Sequence, residues 1–425
     1  MALKKRTKVI LLLIGLLLLG IVLFYDFSSD RALTEEVAHL YPIEDPRFVR
    51  SMGHLLGTQL IQGNRTETLI NGQEFFPSML EAIASAKNSI CMETYIYWSG
   101  EVGRQFTKAL AEQARAGVKV HLLLDFIGSA KIDEAYLNEM EQAGVEIVQY
   151  NSLPWFSLSR VNNRTHRKIL VVDGKIGFTG GAGIADIWLG DADSKEHWRD
   201  THYRFEGPVV SQMVAAFMDN WLSSKGELLH GDEYFPPLEL AGSELGQVFK
   251  SSPRDGSETA RLMYLLTIAS ANKNILMSNA YFVPDDLSVK MFVAAAKRGV
   301  KIQIIAPGKI TDTKLVRAAS RSRWGELLEA GVEFFEYQPT MYHCKVMVAD
   351  DLWSSVGSTN FDNRSFRLND EVNLNIYDRE FALRQVQVFQ EDLKKSKQIT
   401  FEQWKNRPKS EKFKEWLAGL LRHQL

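Results

Sequence analysis

One pattern occurs twice in this chain and limits what it can fold into. The first copy runs from His166 through Lys168 and Asp173 to Gly180 and Gly181; the second runs from His343 through Lys345 and Asp350 to Gly357 and Ser358. Both read H-x-K-x4-D-x6-G-[GS]. The copies stand too far apart to be a local repeat, so they divide the chain into two halves. Fainter echoes keep the same order around them. Residues 268–275 echo 83–90, 298–302 echo 116–120, and 330–334 echo 143–147. Two units of this size indicate duplicated lobes; a solenoid needs three or more.

The stretch has a readable local physics. His and Lys at i and i+2 on a strand point to one face, and the residue between them points to the other, which suits Cys344 as a buried residue. Residues 169–172 and 346–349 are short apolar runs, as in strands covered on both sides. The glycines beyond them let the backbone approach another group, such as a phosphate. Two facing copies would set two imidazoles and two ammoniums around one point. That suits phosphoryl transfer: the lysines balance charge, one imidazole attacks phosphorus, and the other protonates the leaving alkoxide. The symmetry of the motif does not order the two histidines. The aspartates Asp173 and Asp350 complete the motif, and their place at the strand ends predicts a structural role. Around the motifs, helical and strand patterns alternate, which predicts an α/β fold whose lobes each hold a mostly parallel sheet flanked by helices.

The duplicated motif resembles that of the phospholipase D superfamily, over most of the chain beyond about residue 65. The text from Gly357 to Asn373 and from Trp198 to Pro208 is most similar to bacterial cardiolipin synthases. The resemblance implies two phospholipase D-type lobes meeting at one active site, with His166 as nucleophile and His343 as acid. It implies phosphate contacts from Gly181, Ser358 and Asn360. Gly183 stands where the family's asparagine would match Asn360, so one polar contact is missing from the first copy. It also implies a carboxylate beside each histidine. Glu371, following His343, and Asp200, following His166, are the candidates; such a partner fixes the tautomer and stabilises the imidazolium. No metal or cofactor is implied, since two lysines supply the charge a metal would otherwise bring. The expected activity is phosphatidyl transfer, joining two phosphatidylglycerols with loss of glycerol. A hydrolytic phospholipase and a nuclease use the same chemistry and stay open as alternatives.

Composition adds bounds. Lys plus Arg number 50 against 52 Asp plus Glu, which gives no global attraction to nucleic acid. Cys91 and Cys344 are the only cysteines, too few for a disulfide framework. Residues 9–25 are an unbroken apolar and glycine run behind Lys4, Lys5, Arg6 and Lys8. Its length is near the lower end of the roughly 17–25 residues that span a bilayer. Residues 1–27 are therefore expected to be a single-pass transmembrane anchor in the cell membrane, with the basic flank inside and the catalytic part on the non-cytoplasmic side. The expected divisions are 28–64 as a stalk, 65–240 as the first lobe and 241–425 as the second.

The first half has a longer approach to its motif, 145–166 against 332–343. This insertion contains Leu153, Trp155, Phe156 and Leu158 with Arg160 and Arg164, and reads either as a plain loop or as a lip dipping into lipid. His197 and His202 are possible site neighbours. The run Lys314, Arg317, Arg321 and Arg323 reads as a solvated helix face or a head-group contact. Phe413, Trp416, Leu417, Leu420 and Leu421 form one helical stripe near the C-terminus, for packing on its own domain or for a membrane surface.

Overall fold

The computed structural model describes residues 33–151, 163–253, 258–422 and 424. The expected anchor in 1–27 and the apolar insertion 153–158 lie outside the described residues. Among the described residues no helix is long and apolar enough to cross a membrane.

Among the described residues, one 16-stranded sheet runs through both lobes. The first lobe supplies β1 (Ile61–Ile70), β2 (Ser89–Thr94), β3 (Lys119–Asp125), β4 (Glu146–Tyr150), β5 (Arg164–Thr165), β6 (Ile169–Val172), β7 (Ile176–Gly180) and β8 (Thr201–Glu206). The second supplies β9 (Glu244–Ser251), β10 (Asn274–Asn279), β11 (Lys301–Pro307), β12 (Glu333–Tyr337), β13 (Lys345–Ala349), β14 (Trp353–Gly357), β15 (Asn369–Tyr377) and β16 (Ser396–Ile399). From the middle outward the first lobe reads β1-β8-β7-β6-β2-β3-β4 and the second β9-β15-β14-β13-β10-β11-β12, with β16 at the far edge. The order is the same in both, and β1 meets β9 antiparallel, so the lobes are related by a pseudo-two-fold axis.

The expectation of a mostly parallel sheet is corrected. Only β2-β3-β4 and β10-β11-β12 run parallel, with the short β5 beside β15. The motif strands pair antiparallel with both neighbours. The reason lies in the connections. Helices join the parallel strands, but 173–175 join β6 to β7 and 350–352 join β13 to β14, and so short a turn can link only antiparallel strands.

Helices cover both faces, which is why β2, β3, β6, β10, β11 and β13 are buried along most of their length. Asn71–Ser85 and Glu101–Arg115 bury Phe75, Ile83, Phe106 and Leu110 on one side of the first lobe, and Val210–Lys225 buries Met213, Phe217 and Trp221 on the other. Thr259–Ser270 and Asp286–Lys297 cover one side of the second lobe, and Arg379–Lys394 the other. Residues 61–64 belong to β1, and the segment before them packs largely on the second lobe. Its helix Pro46–Leu55 sets Phe48 edge-on to Trp353, with ring centroids 5.1 Å apart.

The motif aspartates hold the turns. Asp173 accepts from the backbone N–H groups of Lys87, Asn88 and Ser89, and Asp350 from those of Asn272, Lys273 and Asn274. Both have positive φ, which aspartate tolerates better than most residues. Replacing Asp350 by Ala strands three backbone donors, so we expect a loss of about 2–3 kcal/mol of stability. A thermal melt would register this, while the folded fraction keeps its turnover per molecule; unchanged stability would contradict the capping role.

Candidate active site

Each histidine is tied to the opposite lobe. β5 pairs with β15 so that Arg164 faces Asn369 and Thr165 faces Asp370, and the His166 N–H donates to the Asp370 carbonyl at 2.9 Å. In the reciprocal place Arg199 bridges to Tyr342, and the His343 N–H donates to the Arg199 carbonyl at 2.7 Å. Each acceptor carbonyl immediately precedes an acid, Glu371 or Asp200. The side chains cross in the same way. His166 Nδ1 lies 3.0 Å from both Glu371 carboxylate oxygens, and His343 Nδ1 lies 2.7 Å from Asp200 Oδ2. Sequence order suggested a pair within each half; the fold makes both pairs across the halves. A carboxylate only accepts, so each Nδ1 carries the proton and each Nε2 is left with a lone pair.

Both imidazoles line one cavity of about 270 Å³ at the junction of the lobes, together with Lys168 and Asn360. Its walls are aromatic. Tyr95 lies 5.4 Å from the His166 ring, and Trp188 and Trp198 lie 5.5 and 5.2 Å from that of His343. Lys168 Nζ donates to the His166 carbonyl at 2.6 Å, which places the pair on one face as the i, i+2 spacing predicts. Lys345 Nζ is 3.0 and 3.2 Å from the two ring nitrogens of His343. Cys344 and Arg167, the intervening residues, are buried on the other side. A larger groove of about 510 Å³ lies elsewhere on the first lobe, lined by Glu67, Glu74, Glu81 and Arg204. It holds no imidazole, so the smaller cavity is the chemical candidate.

The charges follow from burial and pairing. Burial holds His166 down to about 4, with Lys168 adding to the shift and Glu371 opposing it. Burial and Lys345 lower His343 against the pull of Asp200. Burial alone would raise Glu371 and Asp200, but the facing histidines and lysines more than offset it and hold both carboxyls below their ordinary range. Lys168 falls to about 7, and Lys345 also falls, because each ammonium is removed from water. The site therefore pairs neutral imidazoles with carboxylates, and its lysines give up their protons more readily than in water.

The other expected residues divide. Asn360 lines the cavity, where its side-chain NH2 is the group able to donate to a phosphate oxygen. Ser358 and Gly181 do not fit that role. The Ser358 hydroxyl donates to Glu371 and accepts from the Val372 N–H, so it positions the carboxylate. A Cβ on Gly181 would lie 2.3 Å from Asp200 Oδ1, so this glycine makes room for the acid. Asp173 and Asp350 belong to the motif and not to the cavity. His202 is buried outside it, and His197 contacts Asp193. The three arginines of the basic run meet carboxylates, Arg317 and Arg321 at Glu336 and Arg323 at Asp286, and Lys314 is exposed.

The sequence reading missed Tyr95, Trp188, Tyr281, Asp312 and Arg364 among the lining residues. A signal existed for some of them. Tyr95 and Tyr281 follow the C-terminal ends of β2 and β10, and Asp312 follows β11, where open α/β sheets form their crevices. Trp188 carries no such signal.

Residues 79–187 and 264–393 match the family described as cardiolipin synthase, PLD-like domain. The cardiolipin synthase of Geobacillus kaustophilus (strain HTA426) is 38% identical over 84% of this chain and 72% of its own. Cardiolipin synthase A of Pseudomonas putida (strain KT2440) is 34% identical over 88% and 77%. Among solved structures, the phosphatidylserine synthase of Haemophilus influenzae Rd KW20 aligns with a TM-score of 0.69 over 90% of this chain and 100% of that one, at 15% identity, a likeness of fold alone. The fold and the paired motifs define an enzyme of the phospholipase D type. The chain belongs to the phospholipase D-like family in its cardiolipin synthase branch, and is a phosphatidyltransferase of that type.

Two outcomes follow from the crossed pairs. Glu371→Gln should cut turnover by roughly two to four orders of magnitude through loss of the tautomer-fixing carboxylate. It should alter the ring-nitrogen NMR signals of His166 and leave those of His343, whereas Asp200→Asn should do the reverse. Changes confined to the histidine of the same half would contradict the crossing. The second outcome concerns pH. His166 titrates at about 4 in the fold and at 6.5 ordinarily, so the unfolded chain binds the extra proton between those values. Its contribution to stability is present above about pH 6.5 and is lost as pH falls toward about 4. Denaturant titrations should show a shallower fall over this window in His166→Ala than in the unchanged protein.

Proposed function

We propose that the protein is a membrane-associated cardiolipin synthase, joining two phosphatidylglycerols and releasing glycerol through a phosphohistidine intermediate. The observation that carries this reading is the single cavity into which two carboxylate-held imidazoles and a motif lysine open. The names of the relatives support the choice of lipid substrate.

In this reading Lys168, Lys345 and Asn360 hold the phosphate oxygens. The Nε2 lone pair of His166 attacks phosphorus; the bond to the glycerol oxygen breaks, and His343 gives that oxygen its proton. The hydroxyl of a second phosphatidylglycerol then passes its proton back to His343 and attacks phosphorus, and the P–N bond breaks. One asymmetry supports this order. The Lys345 ammonium stands 3.0 and 3.2 Å from the two ring nitrogens of His343, where its charge opposes protonation of the ring. Among the described residues no ammonium makes such a contact with His166. A bound phosphodiester anion would offset the repulsion of Lys345 and raise His343 toward the protonated state an acid needs.

Purified protein in phosphatidylglycerol vesicles should yield cardiolipin and glycerol in near-equal amounts, with little phosphatidic acid, when products are resolved by mass. Phosphatidic acid as the main product would shift the reading to hydrolysis, and cleavage of nucleic acid without lipid turnover would shift it to a nuclease. His166→Ala and His343→Ala should each abolish turnover with the fold intact. Chelators should leave the rate unchanged; loss restored by one divalent ion would contradict charge balance by lysine.

A further inference from the structure

The helix Lys409–Gly419 faces the wrong way for one that packs an apolar stripe on its own domain. It buries Glu415 and Ala418 and leaves Phe413 62%, Trp416 59% and Leu417 51% exposed, with Leu420 and Leu421 exposed just beyond it. Buried ion pairs fix this orientation. Arg321 Nε donates to Glu415 Oε1 at 2.9 Å, Arg407 donates to the other carboxylate oxygen, and Arg321 is held in turn by Glu336. Turning the stripe inward would break this network and pull Ala418 from its contacts with Val316 and Ala319. Five large apolar side chains grouped on one face in this way mark an interaction surface, whereas scattered ones do not.

The charges around the stripe indicate what covers it. At about 100° per residue, Lys412 and Lys414 fall on its two flanks, and Lys409 stands at its head. All three are exposed. Glu411 falls on the side of Glu415 and Ala418, away from the stripe. Apolar and aromatic residues in the centre with lysines along the margins match a helix lying in the plane of an anionic lipid interface. The helix also sits close to the cavity. It packs on Lys314–Ser322, which begins beside the lining residue Thr313. Asn363, between the lining residues Asp362 and Arg364, donates to the Arg422 carbonyl at 3.1 Å.

We propose that the C-terminal helix is a docking surface for an anionic lipid bilayer, with Phe413, Trp416, Leu417, Leu420 and Leu421 among the acyl chains and the lysines at phosphates, holding the cavity mouth at head-group level. Its purpose rests on the lipid-substrate reading, but docking can be measured without turnover. Cys91 and Cys344 are buried, so an environment-sensitive fluorophore can be placed selectively on Phe413→Cys in the full chain. The label should shift to the blue with vesicles of phosphatidylglycerol and phosphatidylcholine, and at least about tenfold less with phosphatidylcholine alone. The same label on Lys397→Cys, an exposed site on β16, should not shift; this control removes any contribution from the N-terminal segment, which would bring both labels to the vesicle. The pair Trp416→Ser and Leu420→Ser together should lower turnover on vesicles by about tenfold or more through lost apolar burial, and leave turnover of dispersed short-chain phosphatidylglycerol unchanged. An unshifted label at 413, or equal slowing on both substrates, would overturn the proposal. So would a detergent-solubilised dimer dispersed by the pair with vesicle turnover intact, since a second copy would then cover the stripe. A shifted label with phosphatidic acid as product would uphold docking while overturning the transferase reading.

Discussion

Two imidazole–carboxylate pairs that cross between the lobes set the terms for the rest of the structure. Asp200 and Glu371 are fully buried. Removed from its histidine, each would be an uncompensated charge in a low-dielectric interior, at a penalty of several kcal/mol. Each acid accepts hydrogen bonds from its own lobe, Asp200 from Trp188 and Thr201 and Glu371 from Ser358, but the histidine and lysine that face it belong to the other, so neither half of the site is complete alone. The continuous sheet through β9 and β1, and the short parallel zips of β5 to β15 and of Arg199 to Tyr342, meet that requirement from the backbone side. They align the residue before each acid with the histidine it must reach.

The same burial sets the chemistry. Burial takes both ammoniums out of water, which lowers Lys168 to about 7 and moves Lys345 in the same direction. A phosphodiester entering the cavity supplies the anion that makes the charged lysine favourable again. Binding and protonation are thus linked, and the positive charge is fully expressed when a phosphate is there to be neutralised.

Much of this was legible in the residues. The repeated motif located both imidazoles and both lysines, because i, i+2 geometry on a strand is local and needs no knowledge of the partner. Glu371 and Asp200 were legible as orienting acids, but their partners were not, because the crossing depends on where β15 and β8 sit in the sheet. The mostly parallel sheet failed for a related reason: helix–strand alternation describes β2 to β4 well and is silent on β6 to β8, which return through short turns. Ser358 and Gly181 were read as phosphate contacts from their place after the motif strand. In the fold that place is beside the acids, and each serves an acid instead. Tyr95 and Tyr281 could have been inferred from strand ends; Trp188 reaches its site through a loop whose path no periodicity records.

The two copies have diverged in a way that suits unequal tasks. The second keeps Asn360 at the cavity, where the first has Gly183 packed against Ile96. Both lysines donate to the carbonyl of their own histidine, and the second stands against the imidazole ring as well. In a two-step transfer the departing and arriving alcohols use the same side of phosphorus in turn, so one general acid–base serves both steps. The opposite side needs only a lone pair that stays free. A perfectly symmetric site would hold both imidazoles in one state and favour neither task. Duplication supplies two equivalent histidines, and these small departures, a glycine for an asparagine and a displaced ammonium, are enough to make them inequivalent.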